Sequence, residues 1–276
     1  MIGFFSEWMQ YGFMKNAFAS ILMITPLFGI LGTMIVERKM AFFSDALGHS
    51  AWTGIAIGVV LGLSDTSLSM LLFAVIFALL LNKLSSTGIA ANDTIISVFS
   101  SCSIAVGLAV LSKGGNFSQY SGLLVGDVLS ISRKEIWYLM IIFILTLIFW
   151  ICCYNRLHAV SIHRALAKSR HIPVRLMENL FAVLTALIVM VSIKWVGMLI
   201  INALLILPAA SSRNISENLW EYHFFSIVFS MFSGIFGLII SYFTNVATGP
   251  MIVIVASIIY FCTYTYGKKD HHSYYY

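Results

Sequence analysis

Charged residues are scarce in this sequence. Asp, Glu, Lys and Arg make up 10% of the 276 residues, whereas about 25% is usual for a soluble domain. So few charges cannot cover the surface of a soluble protein of this length, and this excludes a soluble globular class. Lipid must therefore be the solvent for much of the exterior.

Cysteine is also sparse, and its pattern excludes a disulfide scaffold. The four cysteines form neither a CxxC pair nor a framework of the secreted type. They are Cys102, Cys152, Cys153 and Cys262, and each lies in an apolar run. We interpret them as small buried apolar residues. Linkers rich in Pro, Gly or Ser are missing as well, so we predict one domain over residues 1–276.

Several functional motifs are absent. Without a GxxxxGK[ST] loop we expect no ATP hydrolysis by the chain itself. HExxH and GxSG are missing too, so an intramembrane enzyme ranks lowest among the alternatives. The N-terminal stretch has no basic region and carries Glu7, so we expect the first apolar segment to be retained. The net charge of +5 comes from short loops, which does not indicate nucleic-acid binding.

Long apolar runs dominate what is present: 60% of the residues are hydrophobic. A membrane-spanning helix needs about 20 mostly apolar residues. The candidates are 11–36, 41–63, 67–82, 95–112, 135–154, 179–193, 197–211, 222–243 and 249–267. Only Lys194-Trp195-Val196 separates 179–193 from 197–211, so a tight hairpin and a broken or re-entrant pair both stay open. We predict an all-α, polytopic transmembrane bundle of eight or nine spans.

The distribution of basic residues predicts the orientation. Residues 155–177 form the most basic connection, and we assign it to the cytoplasm. Counting spans from this loop assigns eleven of the sixteen Lys and Arg residues to the same side. They are Arg38, Lys39, Lys83, Arg156, Arg164, Lys168, Arg170, Arg175, Arg213, Lys268 and Lys269. With nine spans, the C-terminus is expected inside and the N-terminus outside.

The second predicted span carries the sharpest candidate for chemistry. Asp45 and His49 are four residues apart and share one helix face. At about 1.5 Å per residue, His49 lies roughly 15 Å beyond the basic pair at 38–39, near the middle of the bilayer. A carboxylate and an imidazole suit a divalent ion such as Zn²⁺ or Mn²⁺. A hydrogen-bonded pair that joins helices is the equally open alternative.

Three other segments contain weaker candidates. Asn202 and Pro208 are the polar and helix-breaking residues of 196–214, and Pro208 frees a carbonyl for a cation or for Ser211. Within the basic loop, Ser161 can cap a short helix, Ile162 to Arg170, with an apolar side formed by Ile162, Ala165 and Leu166. A solvated loop is the alternative there. The polar stretch 113–134 is expected on the outer face, where Tyr120 to Leu129 can form a short helix.

Four segments together resemble the metal-type permease family of ABC importers. They are GTMIVERKMAFFSDALGHSAWTGIAIG (32–58), YSGLLVGDVLSISRKE (120–135), VGMLIINALLILPAASSR (196–213) and TGPMIVIVASIIYF (248–261). They occur in family order and at family spacing over nearly the whole chain.

The resemblance implies a fold and partners. It implies a fold related to the vitamin B12 and siderophore permeases and a permease dimer in the cell membrane. Each copy would pair with an ATPase subunit and receive a transported Zn, Mn or Fe ion from an extracytoplasmic binding protein. No permanently bound cofactor is implied. Which metal is carried, and whether the second copy is identical, stay open.

The resemblance also implies residue roles. Asp45 and His49 match the family's metal ligands. Segment 161–172, with Ser161, Ile162, His163, Ala165 and Leu166, matches the coupling helix that meets the ATPase, although relatives usually carry acidic residues where this chain has 162–164. Segment 119–131, with Tyr120, Leu123, Leu124 and Asp127, matches the outer gate. Asn202 and Pro208 would support the pathway.

Two alternatives remain for comparison, one for the cargo and one for the role of two histidines near the end of the sequence. A permease for a chelate such as a siderophore or cobalamin would keep the fold, but a bulky chelate does not need bare ligands like Asp45 and His49. The chain-terminal pair His271-His272 is either a solvated tail or a metal site, and we favour the tail.

Overall fold

The computed structural model describes residues 10–85, 92–114 and 117–273. Within them the chain is helical, with no strand. The helices are α1 (Gly12–Glu37), α2 (Ala41–Val60), α3 (Ser67–Ser85), α4 (Asn92–Lys113), α5 (Phe117–Tyr120), α6 (Arg133–Ile162), α7 (Arg164–Ser169), α8 (Val174–Val196), α9 (Met198–Arg213), α10 (Leu219–Thr244) and α11 (Thr248–Ser273). Short 3₁₀ turns cover Ser121–Leu124 and Val128–Ser130.

Each predicted span corresponds to a helix, but not every helix meets the requirements for a span. Seven of the described helices are long and apolar enough to cross a membrane. Two of the nine predicted spans correspond to helices outside this set. They are α9, which has 16 residues, and α2, whose 20 residues include polar side chains such as those of Asp45 and His49. The all-α membrane class is confirmed, whereas the count of eight or nine spans is not.

The chain divides into two compact units. The first contains Met1–Val36, Val125–Phe143 and Lys194–Tyr276, and the second contains Glu37–Leu124 and Ile144–Ile193. In the first unit, α9, α10 and α11 pack against one another. In the second unit, α2 packs against α3 and α4.

Small and hydroxylated residues bring the helices of the first unit together. Ser226 of α10 donates a hydrogen bond to the carbonyl of Gly29 in α1 at 2.7 Å. One turn later, Ser230 donates to the carbonyl of Thr25, also at 2.7 Å. Gly32 lies so close to α9 that an added Cβ would collide with the carbonyl oxygen of Leu205. Such contacts are typical of helix association in lipid, where hydrophobic burial contributes little.

The break between α8 and α9 differs from the prediction. Residues 194–196 are helical, and the chain turns at the single residue Gly197, whose φ is +89°. This backbone conformation favours glycine because other side chains clash there. The predicted three-residue connector is therefore wrong, since a glycine needs only one position to redirect the chain.

Gly197 also contacts the polar segment that precedes α6. A Cβ at Gly197 would collide with the backbone of Val125, and a Cβ at Gly126 would collide with the amide nitrogen of Gly197. Gly126 itself has φ +71°. The amide of Asp127 donates to the carbonyl of Lys194 at 3.3 Å. Two glycine backbones therefore touch directly, and we call this contact the glycine joint (Gly126 and Gly197).

Replacing Gly197 with Ala should destabilise the protein. The new Cβ meets the backbone of the glycine joint and also requires a left-handed conformation, a strain of about 1–3 kcal/mol. Thermal unfolding of the detergent-solubilised protein measures the effect. Gly122→Ala is the matched control, because nothing lies within 4 Å of its Cβ position. Equal unfolding midpoints for the two variants would contradict the role of the joint.

Candidate functional site

The polar side of α2 is mostly satisfied within the helix itself. Ser44 donates to the carbonyl of Ala41 at 2.9 Å, and Ser50 donates to that of Leu47 at 2.7 Å. Such bonds back to the preceding turn are how hydroxyls survive in an apolar setting. Asp45 and His49 have longer side chains and are the titratable residues of this helix.

The structure brings Asp45 and His49 together. Nε2 of His49 lies 3.5 Å from Oδ2 of Asp45, and the two side chains are 25% and 39% exposed, respectively. Two ligand atoms bound at about 2.1 Å to one tetrahedral ion lie about 3.4 Å apart. The observed separation therefore fits a shared divalent ion without any rearrangement, and it is long for a hydrogen bond.

Asp45 and His49 alone could supply only part of a coordination shell. Among the described residues, no group of three or more His, Cys, Asp or Glu side chains converges on one point. A tetrahedral ion held by Asp45 and His49 would need two further ligands. Water or substrate-side groups can fill those positions, as they do at open metal sites.

Tight packing fixes α2 from two sides. Thr53 donates a short hydrogen bond to the carbonyl of Ser103 in α4, and the two hydroxyls lie 2.9 Å apart. Gly107 faces the backbone of the same turn, where an added Cβ would lie 2.6 Å from the amide nitrogen of Thr53. On the α3 side, a Cβ at Gly54 would lie 2.6 Å from the Cα of Met70. The helix carrying the Asp–His pair therefore has little freedom to shift alone.

An aromatic stack joins α2 to the start of the outer segment. Trp52, which is 2% exposed, stacks on Phe117 with ring centroids 5.4 Å apart. Trp52 follows His49 by three residues, about one helical turn. Sequence reasoning missed this contact, because the polar stretch 113–134 gives no sign of where its one phenylalanine packs.

The outer segment is not one helix. The predicted helix from Tyr120 to Leu129 is replaced by α5, a 3₁₀ turn and a second 3₁₀ turn, separated at the glycine joint. Tyr120, Leu123 and Leu124 are half-buried. Asp127 is exposed, and its carboxylate accepts a hydrogen bond from the amide of Leu129 at 3.0 Å. Asp127 therefore caps the second turn.

The predicted coupling segment is also organised differently. α6 extends to Ile162, so residues 155–162 are helical rather than loop. Ser161 lies inside that helix and does not cap the next one. The cap of α7 is His163, whose Nδ1 accepts from the amide of Leu166 at 3.3 Å. Imidazole is an unusual cap, so the usual preference for Ser or Asp pointed to the wrong residue.

Apolar residues at α7 and directly before it are exposed in the part of the chain that the structure describes. Ile162 is 67% exposed and Leu166 is 54% exposed, and Ala165 and His163 are exposed as well. Ala167, by contrast, is 1% exposed, so the opposite side of the helix packs against the rest of the protein. Ile162, the last residue of α6, and Leu166 in α7 are therefore two exposed apolar side chains on either side of the His163 cap.

The remaining predicted residues lie in the first unit. Pro208 is buried within α9, and Asn202 is half-buried. The hydroxyl of Ser211 donates to the carbonyl of Leu207 at 2.7 Å. Ser211 therefore does not use the carbonyl of Leu204, which is the one that Pro208 frees. The side chains of His271 and His272 lie outside the described residues.

A charged cluster beside α7 was not predicted. It comprises Glu37, Arg38, His158, Arg164 and Glu178. One signal for it exists in the sequence, since Glu178 is the only acidic residue between positions 136 and 216. A lone carboxylate in so basic and apolar a region indicates a specific partner.

Known proteins resemble this chain along nearly its whole length. The family model described as "ABC 3 transport family" matches residues 10–267. The manganese transport system membrane protein MntC of Listeria innocua is 27% identical, covering 95% of this chain and 93% of that protein. The high-affinity zinc uptake system membrane protein ZnuB of Haemophilus influenzae is 32% identical, covering 83% and 88%.

A solved structure agrees with these relatives. PsaBC from Streptococcus pneumoniae in complex with Fab matches with a TM-score of 0.83 and 26% identity, covering 96% of this chain and 95% of that one. Together with the seven apolar helices, these matches identify a multi-pass membrane protein.

Proposed function

Since the chain belongs to the ABC 3 transport family, we propose that it is the permease subunit of an ABC importer for a divalent metal ion. The relatives named for manganese and zinc systems support this cargo class. The observation that carries the proposal is the Asp45–His49 pair, with ligand atoms 3.5 Å apart on one face of α2. ATP hydrolysis resides on a separate subunit.

The pair suits transport better than storage. Two protein ligands strip only part of the ion's hydration shell, so the ion can be bound and then released. Their exposure, 25% for His49 and 39% for Asp45, leaves room for water to complete the shell. Zn²⁺, Mn²⁺ and Fe²⁺ all accept an imidazole and a carboxylate. A binding protein outside the membrane delivers the ion, and a second permease copy completes the pathway.

We assign the outer gate to residues 119–131. Half-buried Tyr120, Leu123 and Leu124 give this segment an apolar side that can exclude water. The Trp52–Phe117 stack ties α5, the short helix that leads into the gate, to the helix that carries the metal ligands. A shift of α2 therefore moves the start of the gate with it.

We assign the ATPase contact to residues 161–172. The exposed apolar side chains of Ile162, at the end of α6, and Leu166, in the short helix α7, can dock into a groove on a soluble subunit. The His163 cap keeps this helix rigid. A rigid element can pass on a rotation of the ATPase, whereas a flexible loop would absorb it.

Asp45→Ala and His49→Ala should each abolish metal uptake while the protein still assembles. Loss of a group that only supports a metal ligand typically costs about 10–100-fold in affinity, so loss of a ligand should cost at least that much. Uptake in a deletion strain is measured separately for Zn, Mn and Fe, which also identifies the cargo.

Asp65→Asn is the matched control for these variants. Asp65 lies in the same unit, and its carboxylate accepts from the amide of Ser67, a role that asparagine retains. Uptake at the normal rate in either ligand variant would exclude the metal-ligand assignment.

Leu166→Asp should uncouple or dissociate the ATPase without preventing membrane insertion. The change removes apolar burial in the docking groove, worth about 1.5–3 kcal/mol for a fully buried leucine, and adds an unpaired charge. Copurification of the ATPase with the permease measures the loss.

Crosslinking tests the same contact directly. With the four native cysteines replaced, single cysteines along 161–172 should join to the ATPase, and single cysteines along 113–120 should not. If the second set reacts and the first stays silent, both the orientation and the coupling assignment are wrong.

A further inference from the structure

The proposed function does not account for the charged cluster beside α7. Charged side chains are costly to bury and are retained where they have partners. Four charged side chains (Glu37, Arg38, Arg164 and Glu178) and His158 gather where α1, α6, α7 and α8 have their ends. Each contact described below lies within the second unit.

The central contact is an ion pair between α7 and α8. Nε and Nη2 of Arg164 donate to Oε1 of Glu178 at 2.8 and 2.5 Å. Glu178 is 8% exposed, so its carboxylate depends on this partner. The side chain of Arg164 is 59% exposed, and it extends from the helix that we assign to the ATPase contact.

Arg38 adjoins the same carboxylate from the turn before α2. Its guanidinium carbon lies 4.9 Å from the ring centroid of Phe181, which follows Glu178 by three residues on the same helix face. Arg38, Arg164 and Glu178 line one cavity of about 180 Å³. Burial lowers the pKa of the Arg38 guanidinium, and the carboxylates of Glu178 and Glu37 oppose this effect.

Two further contacts hold the same turn against α6. Nη2 of Arg38 donates to the carbonyl of Leu157 at 3.3 Å. Nδ1 of His158 lies 3.4 Å from Oε2 of Glu37. The turn at residues 38–40 therefore contacts both α6, which precedes α7, and α8, which follows it. α2, with Asp45 in its second turn, begins directly after this turn.

We propose that the Arg164–Glu178 ion pair is a positioning link that passes a displacement of α7 to the turn at 38–40 and so to the metal-binding helix α2. The inference rests on the proposed role of α7 as the ATPase contact. The peptide connection between α7 and α8 is four residues long and includes His171, with φ +56°. A charge-assisted double hydrogen bond makes the two helices move as one body, which a short connection alone does not ensure.

The test uses the full transporter, permease with its ATPase, reconstituted in proteoliposomes. The variants are Arg164→Gln, Glu178→Gln and the double charge exchange Arg164→Glu with Glu178→Arg. Arg175→Gln is the matched control, because Arg175 is an exposed cation in the first turn of α8. ATP hydrolysis and transport of Zn²⁺ and Mn²⁺ are measured on the same vesicles.

Glu178→Gln, whose residue lies outside the segment 161–172, should keep the ATPase bound and hydrolysing, and the number of ions moved per ATP should fall at least tenfold in both single variants. The charge exchange should recover a substantial part of that ratio, and Arg175→Gln should leave it unchanged. An unchanged ratio in both single variants would overturn the proposal. So would a parallel loss of hydrolysis and transport that the charge exchange does not repair, because that result indicates a purely structural role.

Crosslinking distinguishes a failure of the ATPase-contact assignment from a failure of the Arg164–Glu178 link. If cysteines along 161–172 do not crosslink to the ATPase in the otherwise normal transporter, the coupling assignment fails and the link fails with it. If they crosslink in every variant and the ratio of ions to ATP stays normal, only the link is wrong.

Discussion

Hydrocarbon offers no hydrogen-bond partner, so each polar group in a membrane protein must find one within the protein or lie where water reaches it. This chain meets the requirement largely at short range. Ser20, Thr25 and Ser50 each return a hydrogen bond to a carbonyl three or four residues earlier. Asp45 and His49 cannot be satisfied in this way, and they are left facing each other at 3.5 Å with partial exposure. The hydroxyl groups are therefore satisfied by the backbone of their own helix, whereas this pair keeps ligand atoms that an ion can bind.

The same constraint explains the charged cluster. Glu178 is nearly buried, and its carboxylate is paired with the guanidinium of Arg164. A buried carboxylate left without its partner is strongly unfavourable, which makes the pair a firm connection between helices. Apolar contacts alone hold helices less specifically in lipid, because lipid tails compete for the same surfaces.

The sequence predicted the long elements well and their junctions poorly. Apolar length located the helices, because about 20 residues must bridge the hydrocarbon, but only seven of the described helices are long and apolar enough to span it. The end of α6 was misplaced because Arg156 and His158 give the stretch a polar appearance, although Leu157 and Val160 are 0% and 3% exposed and keep the helix packed. The i and i+4 spacing predicted that Asp45 and His49 would meet, since one helix fixes their geometry. The Arg164–Glu178 pair joins two helices, and no local spacing rule reports such a contact.

The glycine joint has a consequence for how such proteins diversify. Gly126 and Gly197 meet through main-chain atoms, with no side chain between them. A junction of this kind depends on two small residues and is indifferent to the identity of their neighbours. The exposed side chain of Val125 can therefore change while the segment stays attached at the same place, whereas Asp127, which caps the second 3₁₀ turn, and the buried Val128 are constrained. Exposed positions of this segment can therefore vary without redesign of the helix that Gly197 begins.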